Sequence, residues 1–244
     1  MNILAVIPAR YDSTRFPGKP LAMIGDRPMV QRVYEAAKRC PDFTKVVVAT
    51  DSELVADCVA QFGGEVEMTR SDHATGTDRV AEVAQRYPEM TAIANVQGDQ
   101  PFVTAQMLTQ LVSPYLKGEF PAMTTLACPL DMATNYQDPN SVKVVCDRKS
   151  HALYFSRAPI PYFRNSGDAP VFHHLGLYAF ERDFLSKYAQ LSPTLLEECE
   201  GLEQLRVLEH GFAIRVCLTE RGVLEINTPE DLVQAQALIM APTA

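Results

Sequence analysis

A chain of 244 residues, 47% hydrophobic and 21% charged, is long enough to bury a full core in one large domain or in one domain carrying a lobe. Its net charge of −8 excludes general binding to nucleic acid or to an anionic membrane, which needs a basic footprint, but leaves room for a local cluster of Arg and Lys around a phosphate. Six cysteines lie singly, without a C-x-x-C pair, and the first residues lack a basic region followed by a long apolar run. Free, mostly buried thiols in a cytoplasmic protein with no membrane span are therefore expected.

The first half alternates two patterns. Ile3 to Ile7 is a continuous apolar run, as in a strand buried on both faces. Pro28 to Cys40 carries Met29, Val30, Val33 and Ala36 or Ala37 at helical spacing, with Pro28 suited to a first turn. A second β-branched run covers Lys45 to Ala49. A helix over Ser52 to Phe62 stops at Gly63-Gly64, and Val66 to Met68 is a short strand. Asp78 to Arg86 reads as helix, Ala92 to Val96 as strand and Met107 to Leu116 as helix. Strands alternating with helices predict a mostly parallel twisted sheet flanked by helices.

The middle differs. Ala122 to Ala127, Val142 to Cys146 and Ala152 to Phe155 are strand-like with little helix between them, and Pro159, Pro161, Gly167 and Pro170 mark a loop-rich stretch. Phe172 to Phe180 returns to strand, followed by helices over Glu181 to Leu191 and Gly201 to Glu209. Thr228-Pro229-Glu230-Asp231 opens a last helix with a capping hydroxyl, a first-turn proline and two carboxylates at the positive end of the dipole. The organisation is one α/β domain over 1–244, with a smaller β-rich lobe at about 122–180.

Three segments carry chemistry. The first, Pro8 to Leu21, follows the first strand, where open α/β sheets place ligands. Arg10, Arg15 and Lys19 gather three cations in an acidic protein, and an anion such as a triphosphate offsets their repulsion. Ser13 and backbone N–H groups add donors, and Gly18 supplies conformational freedom. A solvated basic loop is the plain alternative. The segment is neither a Walker loop nor a dinucleotide fingerprint. The second, Asn95 to Pro101, sets Asp99 beside Gly98 at a strand end, which suits a hard cation such as Mg²⁺ or simply a turn. The third, Ser71 to Arg79, places small and hydroxyl residues before a helix, either to approach a base or sugar or only to cap the helix.

Together these segments resemble the 3-deoxy-manno-octulosonate cytidylyltransferases. The resemblance runs from I-P-A-R…S-x-R-F-P-G-K-P-L at the start to N-T-P-E-D-L near the end. It includes Tyr154 to Pro161, His174 to Phe180 and Leu202 to Arg206. It implies a nucleotide-diphospho-sugar transferase-like fold and transfer of CMP from CTP to an eight-carbon sugar acid for lipopolysaccharide biosynthesis, with release of diphosphate. It also implies a homodimer and Mg²⁺ as cofactor. Arg10, Lys19 and Asp99 would carry the catalysis. Pro8, Ala9, Arg10, Ser13, Arg15, Lys19, Thr75, Gly76, Arg79 and Gln97 would hold the nucleotide. Gln100, Arg157, His174, Tyr178, Glu203 and Gln204 would hold the sugar, and Asp99 and Asn227 the metal. Physically, Arg157 offers a carboxylate two parallel bonds, and the other sugar residues mix donors with acceptors.

Two positions depart from the family pattern. Gln100 stands where Q-G-D-E-P has Glu, a place where relatives with Gln include enzymes that prefer the 8-amino analogue of the sugar. Asn227 stands where V-D-T-P-E-D has its metal-binding Asp. An amide oxygen brings Mg²⁺ no negative charge, and Glu225, on the same strand face, is expected to compensate. The alternatives are the same reaction on the 8-amino analogue or on a nine-carbon sialic-type acid, or a weakly active nucleotide-binding protein.

Overall fold

A computed structural model describes residues 1–12, 16–165 and 169–240. Two compact units emerge, one of Met1–Thr109 with Val223–Ala244, the other of Gln110–Gly222.

In the first unit, β1 (Ile3–Pro8) pairs in parallel with β4 (Lys45–Thr50) on one side and with β6 (Ala92–Asn95) on the other, and β4 pairs in parallel with β5 (Val66–Met68). Ile3 to Ile7 are wholly buried, as the unbroken apolar run requires of a strand covered on both faces. A hairpin of β2 (Met23–Ile24) and β3 (Arg27–Pro28), too short to leave a pattern, precedes α1 (Met29–Lys38). Helices α2 (Glu53–Gln61) and α3 (Gly76–Gln85) fill the crossovers. Gly63, at φ 73°, provides the stop after α2. After the second unit the chain returns as α8 (Pro229–Met240). There Ile226 and Ala235 are buried with Ile24 and Met29. Asp231 takes the N–H groups of Asn227 and Thr228, and Thr228 Oγ1 accepts from Asp231 N, so the expected cap forms.

The chain enters the second unit within α4 (Ala105–Leu116). Here β7 (Met123–Pro129) pairs antiparallel with β10 (Phe172–Glu181), which also pairs with β8 (Lys143–Cys146), and β8 pairs with β9 (Ala152–Ser156). The β-rich stretch read at about 122–180 falls in this unit. A further strand, β11 (Ile214–Leu218), runs parallel to β7, with Ile214 and Val216 turned into the core. Helix α5 (Arg182–Tyr188) follows β10. The helix read over Gly201 to Glu209 is confined to its second half, α7 (Leu205–Glu209), and a separate short helix, α6 (Leu195–Glu200), precedes it. Gly201, left-handed at φ 62°, ends α6 and leaves Glu203 and Gln204 in the turn between them. All six cysteines are free thiols; Cys40 and Cys128 are buried and Cys199 is exposed.

Candidate active site

The first unit builds a polar cavity of about 430 Å³ at the carboxyl ends of β1 and β6, lined among others by Arg10, Lys19, Gly76, Arg79, Gln97 and Asp99. Pro8 and Ala9 also line it. Gly98 allows the loop after β6 to lie against the end of β1, because a Cβ there would stand 2.7 Å from the Pro8 carbonyl oxygen. Gly18 adopts φ 71°, donates its N–H to the Tyr11 carbonyl at 2.8 Å, and starts the 3-10 turn Lys19–Leu21 that aims Lys19 inward.

Lys19 is the hub. Its Nζ donates to Asp99 Oδ2 at 2.9 Å and to the Ile226 carbonyl at 3.0 Å, joining segments 80 and 207 residues away. Ile226 N–H donates in turn to the Asp99 carbonyl at 2.9 Å. The segment carrying Glu225 and Asn227 is thus fastened to the Asp99 loop by single bonds. It is not a strand, contrary to the expected strand face. The two side chains meet all the same. Asn227 hydrogen-bonds to Glu225, and Gln100 Nε2 donates to Glu225 Oε1 at 2.8 Å. Burial, followed by the Asp99 charge, pushes the Glu225 carboxyl up to about 7. Gln100 is buried at 1% exposure.

The remaining nucleotide candidates divide. Gly76 opens α3, so the N-terminal N–H groups of a ten-residue helix border the cavity. Thr75 serves as the cap: its Oγ1 accepts from Asp78 N at 3.1 Å, and Asp78 Oδ2 accepts from Thr75 N at 3.0 Å. The cap is thus Thr75 with Asp78, closing a box. Arg79 is wholly buried, donating from Nη2 to Asp51 at 3.1 Å and from Nη1 to Thr69. Gln97 is oriented by Asn95 Oδ1 at 3.5 Å, and Asn95 by Thr77 at 3.0 Å. Arg10 is exposed and reaches the His73 carbonyl at 3.4 Å. Ser13 and Arg15 lie outside the described residues.

In the second unit His174, Tyr178 and Gln204 come together, and the device that joins them is a bulge. Four residues along a strand span about 13 Å, yet the rings of His174 and Tyr178 lie 5.6 Å apart. Between them β10 slips against β7, from His174 opposite Ala127 to Tyr178 opposite Thr125, and Gly176 takes φ 66°. The hydrogen bonds then run one way. Tyr178 OH donates to Gln204 Oε1 at 3.0 Å, and Gln204 Nε2 faces His174 Nδ1 at 3.4 Å. His174 Nε2 meets Thr125 Oγ1 at 2.9 Å, and Thr125 donates to the Leu177 carbonyl at 2.8 Å. Because the Thr125 hydroxyl spends its proton on Leu177, it accepts from His174, which places the imidazole proton on Nε2. Burial, with His173 beside it, pushes His174 down to about 3, so the ring is neutral. Sequence reasoning does not reach Thr125, nor Phe155, whose ring packs edge-on to His174 at 4.8 Å.

Arg157 and Glu203, in the same unit, are held by other partners. Arg157 donates to the carbonyls of Glu200 at 2.8 Å, Pro139 at 3.0 Å and Gly201 at 3.5 Å, which engages three of its five N–H bonds. Glu203 accepts from Tyr188 OH at 3.3 Å.

Residues 4–218 match the cytidylyltransferase family model. The 3-deoxy-manno-octulosonate cytidylyltransferase of Acaryochloris marina is 68% identical over 239 residues, covering 98% of each chain. The protein of the same name from Synechococcus elongatus is 56% identical over 238 residues, covering 97% of this chain and 98% of the relative. Among solved structures, CMP:2-keto-3-deoxy-manno-octonic acid synthetase complexed with CTP superposes with a TM-score of 0.93 at 40% identity, over 98% of both chains.

Proposed function

The chain belongs to the cytidylyltransferase family, and from that premise we propose that it couples CTP to a 3-deoxy-manno-octulosonate-type sugar acid, giving the CMP-sugar and diphosphate for lipopolysaccharide biosynthesis. The observation that carries this reading is the Lys19–Asp99 hub in the cavity at the ends of β1 and β6, bordered by Arg10 and the α3 N-terminus.

The sugar's anomeric oxygen attacks the α-phosphorus of CTP. An oxygen–phosphorus bond forms, the bond to the bridging oxygen breaks, diphosphate leaves and the hydroxyl proton passes to solvent. The protein positions the reactants and stabilises charge, with little covalent work of its own. Lys19 and Arg10 neutralise phosphate oxygens, and α3 turns backbone N–H groups toward them. Pro8, Ala9, Thr75, Gly76, Arg79 and Gln97 shape the nucleotide side, with Ser13 and Arg15 assigned there by the family pattern. His174, Tyr178, Gln204, Glu203 and Arg157 serve the sugar acid. There the neutral imidazole contributes a fixed hydrogen-bond pattern rather than charge.

Hard oxygen donors suit magnesium. Asp99 gives Lys19 one of its two carboxylate oxygens, and Glu225 and the Asn227 amide stand on the segment tied to it. Among the described residues no group of three or more His, Cys, Asp or Glu is placed to enclose a metal, so Asp99 and Asn227 would share the ion with phosphate and water. When bound, Mg²⁺ neutralises phosphate charge and favours the ionised hydroxyl. We place the enzyme in the cytoplasm as a homodimer; no helix among the described residues is long and apolar enough to cross a membrane.

The test is diphosphate release from CTP with and without acid sugars. Release that depends on 3-deoxy-manno-octulosonate is expected. Release on the 8-amino analogue or a nine-carbon acid alone would replace the sugar, and CTP binding without release under any sugar would refute the enzymatic reading.

A further inference from the structure

Gln100 and Asn227, the two positions that leave the family pattern, converge on one side chain. Gln100 buries its amide and donates from Nε2 to Glu225 Oε1 at 2.8 Å. Asn227 also hydrogen-bonds to Glu225, a contact that favours the ionised carboxylate. Between Glu225 and Asn227, Ile226 is pinned at three points. Its side chain is buried with Ile24 and Met29, its N–H donates to the Asp99 carbonyl at 2.9 Å, and its carbonyl accepts from Lys19 Nζ at 3.0 Å. Glu225 is therefore fixed to the same backbone junction that holds Asp99, and it retains partial exposure.

A carboxylate at either amide position would oppose Glu225 with like charge, whereas an amide offers it a proton. Burying an amide against a carboxylate is favourable when the bond is charge-assisted and wasteful otherwise. Among positions 100, 225 and 227, Glu225 is thus the one side chain that can carry negative charge.

We propose that Glu225 is the second carboxylate of the divalent-cation site beside Asp99, with Gln100 as a positioning residue that holds it rather than a contact to the sugar. Asn227 steadies Glu225 through the hydrogen bond between them. This rests on the CTP-dependent function proposed above.

The experiment titrates Mn²⁺, a paramagnetic substitute for Mg²⁺, into the full chain with saturating CTP and follows free Mn²⁺ by electron paramagnetic resonance. Melting temperature and the KM for sugar are measured alongside. Glu225→Gln is expected to weaken Mn²⁺ by about tenfold or more, Gln100→Met by about tenfold, and Glu225→Asp by less than Glu225→Gln. Sugar KM stays unchanged in Gln100→Met. Wild-type Mn²⁺ affinity in Glu225→Gln, or a raised sugar KM with unchanged Mn²⁺ affinity in Gln100→Met, overturns the inference while leaving the enzyme reading intact. Should Glu225→Gln fail to fold, Gln100→Met decides alone, since it leaves the carboxylate in place. Absence of CTP-dependent Mn²⁺ binding in the wild type overturns the enzyme reading and this inference together.

Discussion

Replacing Lys19 by alanine separates what the hub does for the fold from what it does for the reaction. The ammonium makes two bonds, at 2.9 Å to Asp99 and 3.0 Å to the Ile226 carbonyl, with side chains 17% and 25% exposed at Lys19 and Asp99. Charge-assisted bonds contribute about 1.5–3 kcal/mol each when sheltered, and partly wet pairs fall toward 1 kcal/mol or below, so a loss of about 1–2 kcal/mol is expected. For a chain of this size that lowers Tm by roughly 2–8 °C. The catalytic loss is larger. A positioned donor facing developing charge is worth about 2.7–4 kcal/mol, or about 10²–10³ in kcat. Calorimetry and diphosphate release under saturating CTP and sugar give the two numbers independently. Lys19→Arg keeps the charge but substitutes a planar fork for a point charge, and should recover stability more than rate. Turnover within about threefold of wild type in Lys19→Ala would refute the phosphate role, whatever the change in Tm.

Other changes test the surrounding geometry. Asn227→Asp adds a carboxylate beside Asp99 and Glu225, so half-saturating Mg²⁺ should fall and the metal-free protein should melt earlier; an unchanged requirement means Asn227 is not a ligand. Gly98→Ala drives a Cβ to 2.7 Å from the Pro8 oxygen, which should cost about 1–3 kcal/mol and lower kcat through the displaced Asp99 loop, as read by melting and steady-state kinetics. Gly176→Ala forces φ 66° on a residue with a side chain at about 1–2 kcal/mol and should raise the KM for sugar while leaving that for CTP unchanged. His174, held down to about 3, should show no imidazole titration by NMR between about pH 5 and 8. Its folded pKa lies below the unfolded value, so its contribution to stability is intact above about pH 6.5 and is lost as pH falls toward 3, by up to about 1.4 kcal/mol per pH unit. A His174→Asn variant should lack that part of the slope.

What the sequence discloses follows from what is local. β1, β4 and β6 are legible because a strand covered on both faces must be apolar throughout, and α1 is legible because its buried stripe repeats at helical spacing. β11 is obscured because an alternation of only five residues, Ile214 to Leu218, is too short to stand out, and β2 and β3 because two residues have no period. Gly201 is visible as a glycine, but only its left-handed conformation shows that α6 ends there. In the site, Pro8 to Leu21 and the Asp99 loop stand out because each is contiguous and follows a strand. The bonds that make them one structure join positions 80, 125 and 207 residues apart, and no local pattern encodes a partner at that distance.

Gln100 and Asn227 mislead for the same reason when taken singly. Each replaces a carboxylate with an amide, and each alone implies a weaker cation site. Charge, however, is a property of the cluster. Glu225 accepts from Gln100 and hydrogen-bonds to Asn227 on the backbone segment that Lys19 and Asp99 already fix, so a cation bound there would favour its ionised form, while a carboxylate in place of either amide would oppose it. A chain with either amide restored to carboxylate and Glu225 kept would crowd three carboxylates around Lys19. A chain that loses Glu225 and keeps both amides would leave Asp99 alone to face the cation. The effect of either amide on the cation site therefore has to be read together with Glu225 and not singly.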